Sequence, residues 1–324
     1  MVFFKDAEYF KSLKEKKVHC TLCPRECFIE NGEAGECDAR QNILGKLKSI
    51  IYGKPWKVDY SKVESNSLYH FFPNKETLNI ALPGTNLKGS LWGDVDDVTI
   101  PTLNQKPHNI IGQAEKTNTK IISFLGEPFI YFEYMKDIID KDKKKKYVIS
   151  TNGYVNEKVV KKIVKKADAF VFNIKFMNDN AMDHFFNAKI KPILKSLKTV
   201  YNEGKWIEIK MMLIPKIHDD LYDARKVVSF ILNELSPNVP LHFIKYNGEN
   251  ISSDDNLMIK ARKMAIDAGM NFVYLDNGTS IRANVTYCPN CKKPVIIREV
   301  NNVEILMKKG RCKSCGKEVP GVWE

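Results

Sequence analysis

Residues 120–151 read KIISFLGEPFIYFEYMKDIIDKDKKKKYVIST. An apolar stretch, Lys120–Leu125, runs into Gly126-Glu127-Pro128. Apolar residues at helical spacing follow over Phe129–Asp140. A lysine-rich turn then leads to a second apolar stretch, Tyr147–Thr151. Short, continuous apolar runs have no polar face to alternate, so they read as strands covered on both sides. A helix-period segment between two such strands predicts a parallel βαβ unit.

The same rhythm extends in both directions. Strands are expected at Thr77–Leu82, Ala169–Lys175, Trp206–Leu213, Leu241–Tyr246 and Phe272–Leu275. Helices are expected near His108–Lys116, Asn156–Lys166, Ile190–Asn202, Asp219–Leu235 and Asp254–Ala268. The fold class is therefore α/β, a parallel sheet covered by helices. Six or seven units in about 200 residues fit an open or closed βα-barrel, with a doubly wound sheet as the alternative.

Such arrays place their chemistry just past the C-terminal ends of the strands. The polar loops there are Pro83–Gly93, Gly126-Glu127-Pro128, Thr151-Asn152-Gly153-Tyr154 and Asn173-Ile174-Lys175. Asp94, Asp96 and Asp97 extend the first of them and read as a solvated acidic loop or a hard-cation site. His218, followed by Asp219 at an expected helix start, and His242 also lie near strand ends. No nucleophile elbow, P-loop or HExxH pattern occurs.

The eight cysteines avoid this middle altogether. Cys288-Pro-Asn-Cys291 and Cys312-Lys-Ser-Cys315-Gly form two CxxC knuckles, with strand-like stretches Pro294–Arg298 and Val303–Met307 between them. That spacing lets two tight turns converge four thiolates on one tetrahedral ion, so a zinc ribbon is expected. Near the start, Cys20, Cys23, Cys27 and Cys37 are spaced C-x2-C-x3-C-x9-C. Four thiols this close can close one site. Zinc is the default for a four-thiolate cage, giving two zinc sites in all, and an iron–sulfur cluster is the alternative. The expected division is 1–60 for an N-terminal four-cysteine element, 61–280 for the βα-barrel and 281–324 for the C-terminal zinc ribbon.

Composition sets outer limits. Hydrophobic residues make up 44% and charged residues 28% of 324, an ordinary globular balance. No apolar run is long enough for a transmembrane helix, and the opening residues carry no signal-peptide pattern, so a cytoplasmic protein is expected with no membrane partner. Reduced thiols fit that compartment. The formal charge of +12 comes largely from Lys141–Lys146 and the lysines of 158–166. A polyanion-binding face is one reading. Aromatic residues are not interleaved with these lysines, which favours a solvated surface over a nucleic-acid groove.

Several segments together make the chain resemble the radical S-adenosylmethionine (SAM) proteins of the AmmeMemoRadiSam-system type, relatives of pyruvate formate-lyase activating enzymes. They are Cys20-Thr-Leu-Cys23-Pro-Arg-Glu-Cys27, Gly35-Glu-Cys37, Leu68-Tyr69-His70-Phe71, Glu127-Pro128 with Phe132-Glu133-Tyr134-Met135, Thr151-Asn152-Gly153-Tyr154, Leu213-Ile214-Pro215, Pro240-Leu241-His242-Phe243, Thr286–Cys291 and Pro320-Gly321-Val322-Trp323. The resemblance implies a partial (βα)6 barrel. It also implies a C-x3-C-x2-C loop after the first barrel strand, whose thiolates hold a [4Fe–4S] cluster that anchors SAM. This chain departs from the family there, with Thr85, Gly89 and Trp92 at the three ligand positions. Gly126, Glu127 and Lys175 match family elements that contact SAM. They mark either a residual SAM or nucleotide pocket or structural parts of the rim. The resemblance thus implies a pseudoenzyme that acts through a ligand or a protein partner, such as other members of that system. The alternatives are a radical enzyme with its cluster moved to the N-terminal cysteines, another enzyme class reusing the barrel mouth, or a nucleic-acid-binding ribbon protein.

Overall fold

The computed structural model describes residues 4–89, 103–247, 252–276, 281–299 and 302–324. Trp92 and the acidic run Asp94, Asp96 and Asp97 lie outside these residues. The chain divides into two compact units. The first comprises Met1–Ser61, Glu76–Phe170 and Asn178–Lys205, the second Lys62–Lys75, Val171–Met177 and Trp206–Glu324.

The first unit begins with six short strands: β1 (Lys5–Asp6), β2 (Phe10–Ser12), β3 (Val18–Cys20), β4 (Phe28–Ile29), β5 (Arg40–Ile43) and β6 (Lys46–Ser49). They form two small antiparallel sheets, β1-β6-β5 and β2-β3-β4. Strands of two to four residues carry no readable periodicity, so the sequence pattern passes over them. Next come β7 (Lys57–Lys62), β8 (Glu76–Ala81), α1 (Pro107–Lys116), β9 (Ile121–Leu125), α2 (Phe132–Lys141), β10 (Lys146–Thr151) and α3 (Glu157–Val164), then α4 (Asp179–Phe186) and α5 (Lys191–Asn202). Strands β8, β9 and β10 run parallel, with Thr77 opposite Ile121 and Lys146 opposite Ile121.

The helices bury the faces their spacing dictates. In α3, Val159, Val160, Ile163 and Val164 are buried, and the helix packs on α5, which buries Ile193, Ser196, Leu197 and Val200. Each such aliphatic side chain contributes about 1.5–3 kcal/mol on leaving water. The expected helix over Phe129–Asp140 splits into a 3-10 turn, Pro128–Tyr131, and α2. Glu127 caps that turn by accepting from Phe129 N.

The second unit holds most of β11 (Ala169–Ile174), then β12 (Trp206–Leu213), α6 (Tyr222–Glu234), β13 (Leu241–Lys245), α7 (Asp255–Asp267) and β14 (Val273–Asp276). Strands β12, β13 and β14 are parallel, with Lys210 opposite His242 and Ile244 opposite Asp276. In hydrogen-bonding order, β14-β13-β12-β11-β10-β9-β8-β7 make an eight-stranded, mostly parallel sheet. The seven strands expected from apolar runs are there within one or two residues. Helix α6 starts at Tyr222, later than the expected Asp219. Asp219 instead accepts from Lys216 N at 3.0 Å, and Asp220 from Tyr222 N at 2.9 Å.

The unit closes with β15 (Thr286–Tyr287), β16 (Pro294–Glu299), β17 (Asn302–Ile305), β18 (Met307–Lys308) and β19 (Arg311–Cys312). The expected hairpin forms between β16 and β17, with Ile296 opposite Ile305. Cys288, Val295, Ile296, Met307, Cys312 and Val319 share one apolar cluster with Tyr69, Phe272 and Tyr274 of the same unit. No helix among the described residues is long and apolar enough to cross a membrane.

Candidate metal centre

The two C-terminal knuckles are built by backbone turns. Cys288 N donates to Lys293 O at 2.9 Å, and Lys292 N returns to Cys288 O at 3.0 Å. Cys312 N donates to Lys317 O at 2.9 Å, and Gly316 N to Cys312 O at 2.8 Å. Lys292 and Gly316, each directly after the second cysteine of its pair, adopt positive φ of 57° and 73°. These turns bring the four sulfurs within 4.8 Å of one another, with Cys288–Cys315 at 3.6 Å and Cys291–Cys312 at 3.7 Å. A tetrahedral ion with metal–sulfur bonds of about 2.3 Å separates its ligands by about 3.8 Å. The thiols therefore fit one such ion. The Lys317 backbone N–H, with the Asn290 amide, holds the Cys315 thiol down at about 6, and the Ser314 N–H lowers that of Cys312.

The N-terminal four are arranged differently. Cys20 ends β3, Cys27 precedes β4, and Cys20 N donates to Cys27 O at 2.9 Å. Cys20 and Cys23 are buried, and Cys27 and Cys37 are half-buried. Among the described residues, no three of these thiols meet the mutual 4.8 Å spacing of the C-terminal group. They do influence one another electrostatically. Burial pushes Cys23 and Cys37 up to about 12, against the pull of the Arg25 and Ala39 backbone N–H groups.

The residues expected at a SAM pocket fall in both units. In the first, Glu127 is buried and its carboxylate is committed: it accepts from the Thr151 hydroxyl at 2.9 and 3.0 Å, from Asn152 N at 2.8 Å and from Phe129 N at 3.3 Å. Gly126 has φ of 91°, and a Cβ there would lie 2.4 Å from Leu82 O, so only glycine fits. Lys175, in the second unit, is half-buried one residue past β11. Two of the three expected cluster-ligand positions are described. Thr85 Oγ1 accepts from Leu87 N at 3.1 Å, serving its own turn. At Gly89 an added Cβ would meet Phe185 O at 1.6 Å.

The second unit holds a buried polar network that sequence reasoning missed. Glu208 accepts from Tyr69 N at 3.0 Å, His70 N at 2.8 Å, Trp206 Nε1 at 3.1 Å and His242 Nε2 at 2.8 Å. His242 Nδ1 reaches Asp276 at 3.2 Å, and Asp276 also accepts from the Ser67 hydroxyl. His70 bonds Pro320 O and the Tyr274 hydroxyl, both at 2.7 Å. Burial lowers the His70 imidazole to about 4. Burial would lower His242 too, but Asp276 and Glu208 outweigh it and raise it to about 9. Burial opposes ionisation of both carboxylates, and His242 nevertheless holds both below their usual range. A carboxylate inside an apolar strand was the available signal, since a buried charge requires a partner. Three of the segments that carry the family resemblance, 68–71, 240–243 and 320–323, meet here.

No family model matches the chain. The (2S)-3-sulfopropanediol dehydratase activating enzyme of Klebsiella oxytoca is 22% identical over 147 residues, 45% of this chain and 46% of that protein. Among solved structures, a domain of pyruvate-formate lyase-activating enzyme from Bacteroides vulgatus overlaps 48% of this chain and 98% of its own, at 15% identity and a TM-score of 0.42. TYW1 with a lysine-pyruvate adduct bound overlaps 69% of this chain and 82% of its own, at 14% identity and a TM-score of 0.43. The uncharacterized protein MJ0808 of Methanocaldococcus jannaschii is 30% identical over 331 residues, 97% of this chain and 98% of that protein. With a match running end to end, the chain belongs to the family of MJ0808.

Proposed function

We propose that this chain is a radical-SAM-fold protein that has lost its catalytic cluster site, keeps a structural zinc in its C-terminal ribbon, and works by binding a ligand or a protein partner. The observation that carries the reading is Gly89. In the family pattern this position holds the middle thiolate of C-x3-C-x2-C, and here the Phe185 carbonyl occupies the space its Cβ would need. Thr85, at the first position, is a turn residue that cannot ligate the cluster, and Trp92 replaces the third by sequence. The cluster supplies the electron for reductive cleavage of SAM, so a chain without it at the barrel mouth lacks that chemistry. The likeness to an activating enzyme over 45% of the chain supports the fold assignment.

The SAM elements read as structural in this proposal, because the Glu127 carboxylate is taken up by Thr151, Asn152 and Phe129. The partner class proposed is another protein of the AmmeMemoRadiSam system. For the ribbon, sulfur separations of 3.6 and 3.7 Å support zinc, which folds such a module around itself.

The test is an anaerobic reaction of the reconstituted chain with SAM and dithionite. No 5′-deoxyadenosine is expected. Product that disappears in Cys23→Ala would replace this reading with a radical enzyme whose cluster sits on the N-terminal cysteines.

A further inference from the structure

Buried hydrogen-bond donors lie around the N-terminal cysteines. The Arg25 N–H and the Asn86 amide bond the Cys23 sulfur, the Glu36 N–H that of Cys27, and the Ala39 N–H that of Cys37. Arg40 is 1% exposed, and its Nη1 lies 3.8 Å from Cys20 Sγ while donating to Glu8 O at 2.9 Å. Its Nη2 pairs with the buried Glu133, and its Nε has no hydrogen-bond partner. The Tyr131 hydroxyl is also buried without a partner, within electrostatic reach of Cys37. Two unpaired buried donors cost stability unless an acceptor is supplied. Sulfur in a thiolate cage of net negative charge is such an acceptor, and outer donors of this kind orient and tune metal-bound sulfur.

Spacing separates one ion from a cluster. The C-terminal four show what a single tetrahedral ion requires, sulfurs at 3.6 and 3.7 Å. Among the described residues the N-terminal thiols form no such close group, although Cys23, Cys27 and Cys37 each feel neighbouring thiols. An iron–sulfur core, with several metal ions and bridging sulfides, spreads its cysteine ligands farther apart than one ion does. We infer that Cys20, Cys23, Cys27 and Cys37 hold an iron–sulfur cluster, with Arg40 and Tyr131 donating to its sulfurs. This goes beyond the function proposed above and departs from the expectation of a second zinc.

The experiment uses the full chain, purified anaerobically and reconstituted with ferrous iron and sulfide. Iron, acid-labile sulfide and zinc are quantified, and the dithionite-reduced sample is examined by electron paramagnetic resonance. Expected are iron and sulfide in equal amounts, lost in Cys23→Ala and kept in Cys288→Ser, with one zinc showing the opposite pattern. Tyr131→Phe removes only the hydroxyl. It should keep the iron and lower the midpoint potential, since a hydrogen bond to cluster sulfur favours the reduced state. Arg40→Met should shift the potential the same way. Two zinc ions per chain without iron, or iron retained in Cys23→Ala, would overturn the cluster. An unchanged potential in Tyr131→Phe would remove that residue from the donor set. These metal readouts do not depend on SAM cleavage, so the cluster and the pseudoenzyme reading stand or fall separately.

Discussion

The charge on His242 should set how the second unit responds to alkali. Its imidazole lies between Glu208 at 2.8 Å and Asp276 at 3.2 Å, with His70, Lys210, Tyr69, Tyr274 and Arg298 among the other titratable groups around them. The folded state holds the proton up to about pH 9, against 6.5 for an ordinary histidine. At about 1.4 kcal/mol per pH unit, that is about 3 kcal/mol. A raised imidazole contributes its full stabilisation below pH 6.5 and loses it as pH rises to about 9. Glu208 and Asp276 contribute above their ordinary range and lose it in acid, and His70, lowered to about 4, also weakens the fold as pH falls below 6.5. Stability of this unit should therefore peak near pH 6.5. Urea unfolding followed by tryptophan fluorescence, to which Trp206 with its indole bonded to Glu208 at 3.1 Å contributes, reads it. His242→Gln keeps the size and removes the charge. It should cost about 3–5 kcal/mol at pH 6.5 and flatten the alkaline limb. A wild-type protein equally stable at pH 6.5 and 9, or a variant with the wild-type slope, would refute the charged-histidine account.

Cys288→Ser should release the one equivalent of zinc proposed for the ribbon and open residues 286–324 to protease while the helical signal of the first unit persists, because a structural zinc site folds its own small module. Unchanged metal content would argue against it. Installing a C-x3-C-x2-C motif with Thr85→Cys, Gly89→Cys and Trp92→Cys should lower the melting temperature and give no additional cluster, since a side chain at 89 meets the Phe185 carbonyl. A further iron–sulfur absorption in that variant would show that the loop can open. Glu127→Gln should cost roughly 2–3 kcal/mol in urea without any ligand, because three buried donors lose an anionic acceptor. A neutral effect would mean that the carboxylate is held for a ligand instead.

Local pattern in the sequence was enough for the parallel array and the ribbon. Apolar runs such as Lys120–Leu125 and Trp206–Leu213 have no other stable place than a sheet covered on both faces, and the helix stripes between them follow from spacing alone. The CxxC pairs foretold the C-terminal thiol group for the same reason, since each knuckle is one short turn made by neighbouring residues. What the sequence could not decide depends on residues distant along the chain. The closing of Gly89 by Phe185, the engagement of Glu127 by Thr151 and Asn152, and the meeting of His70, Glu208, His242 and Asp276 are set by packing between separate strands and loops. The N-terminal cysteines share this dependence. Their spacing in sequence allowed either zinc or a cluster, and the buried donors that carry the cluster proposal, Arg40 and Tyr131, come to the site only through tertiary packing, because metal nuclearity depends on distances across the site rather than along the chain.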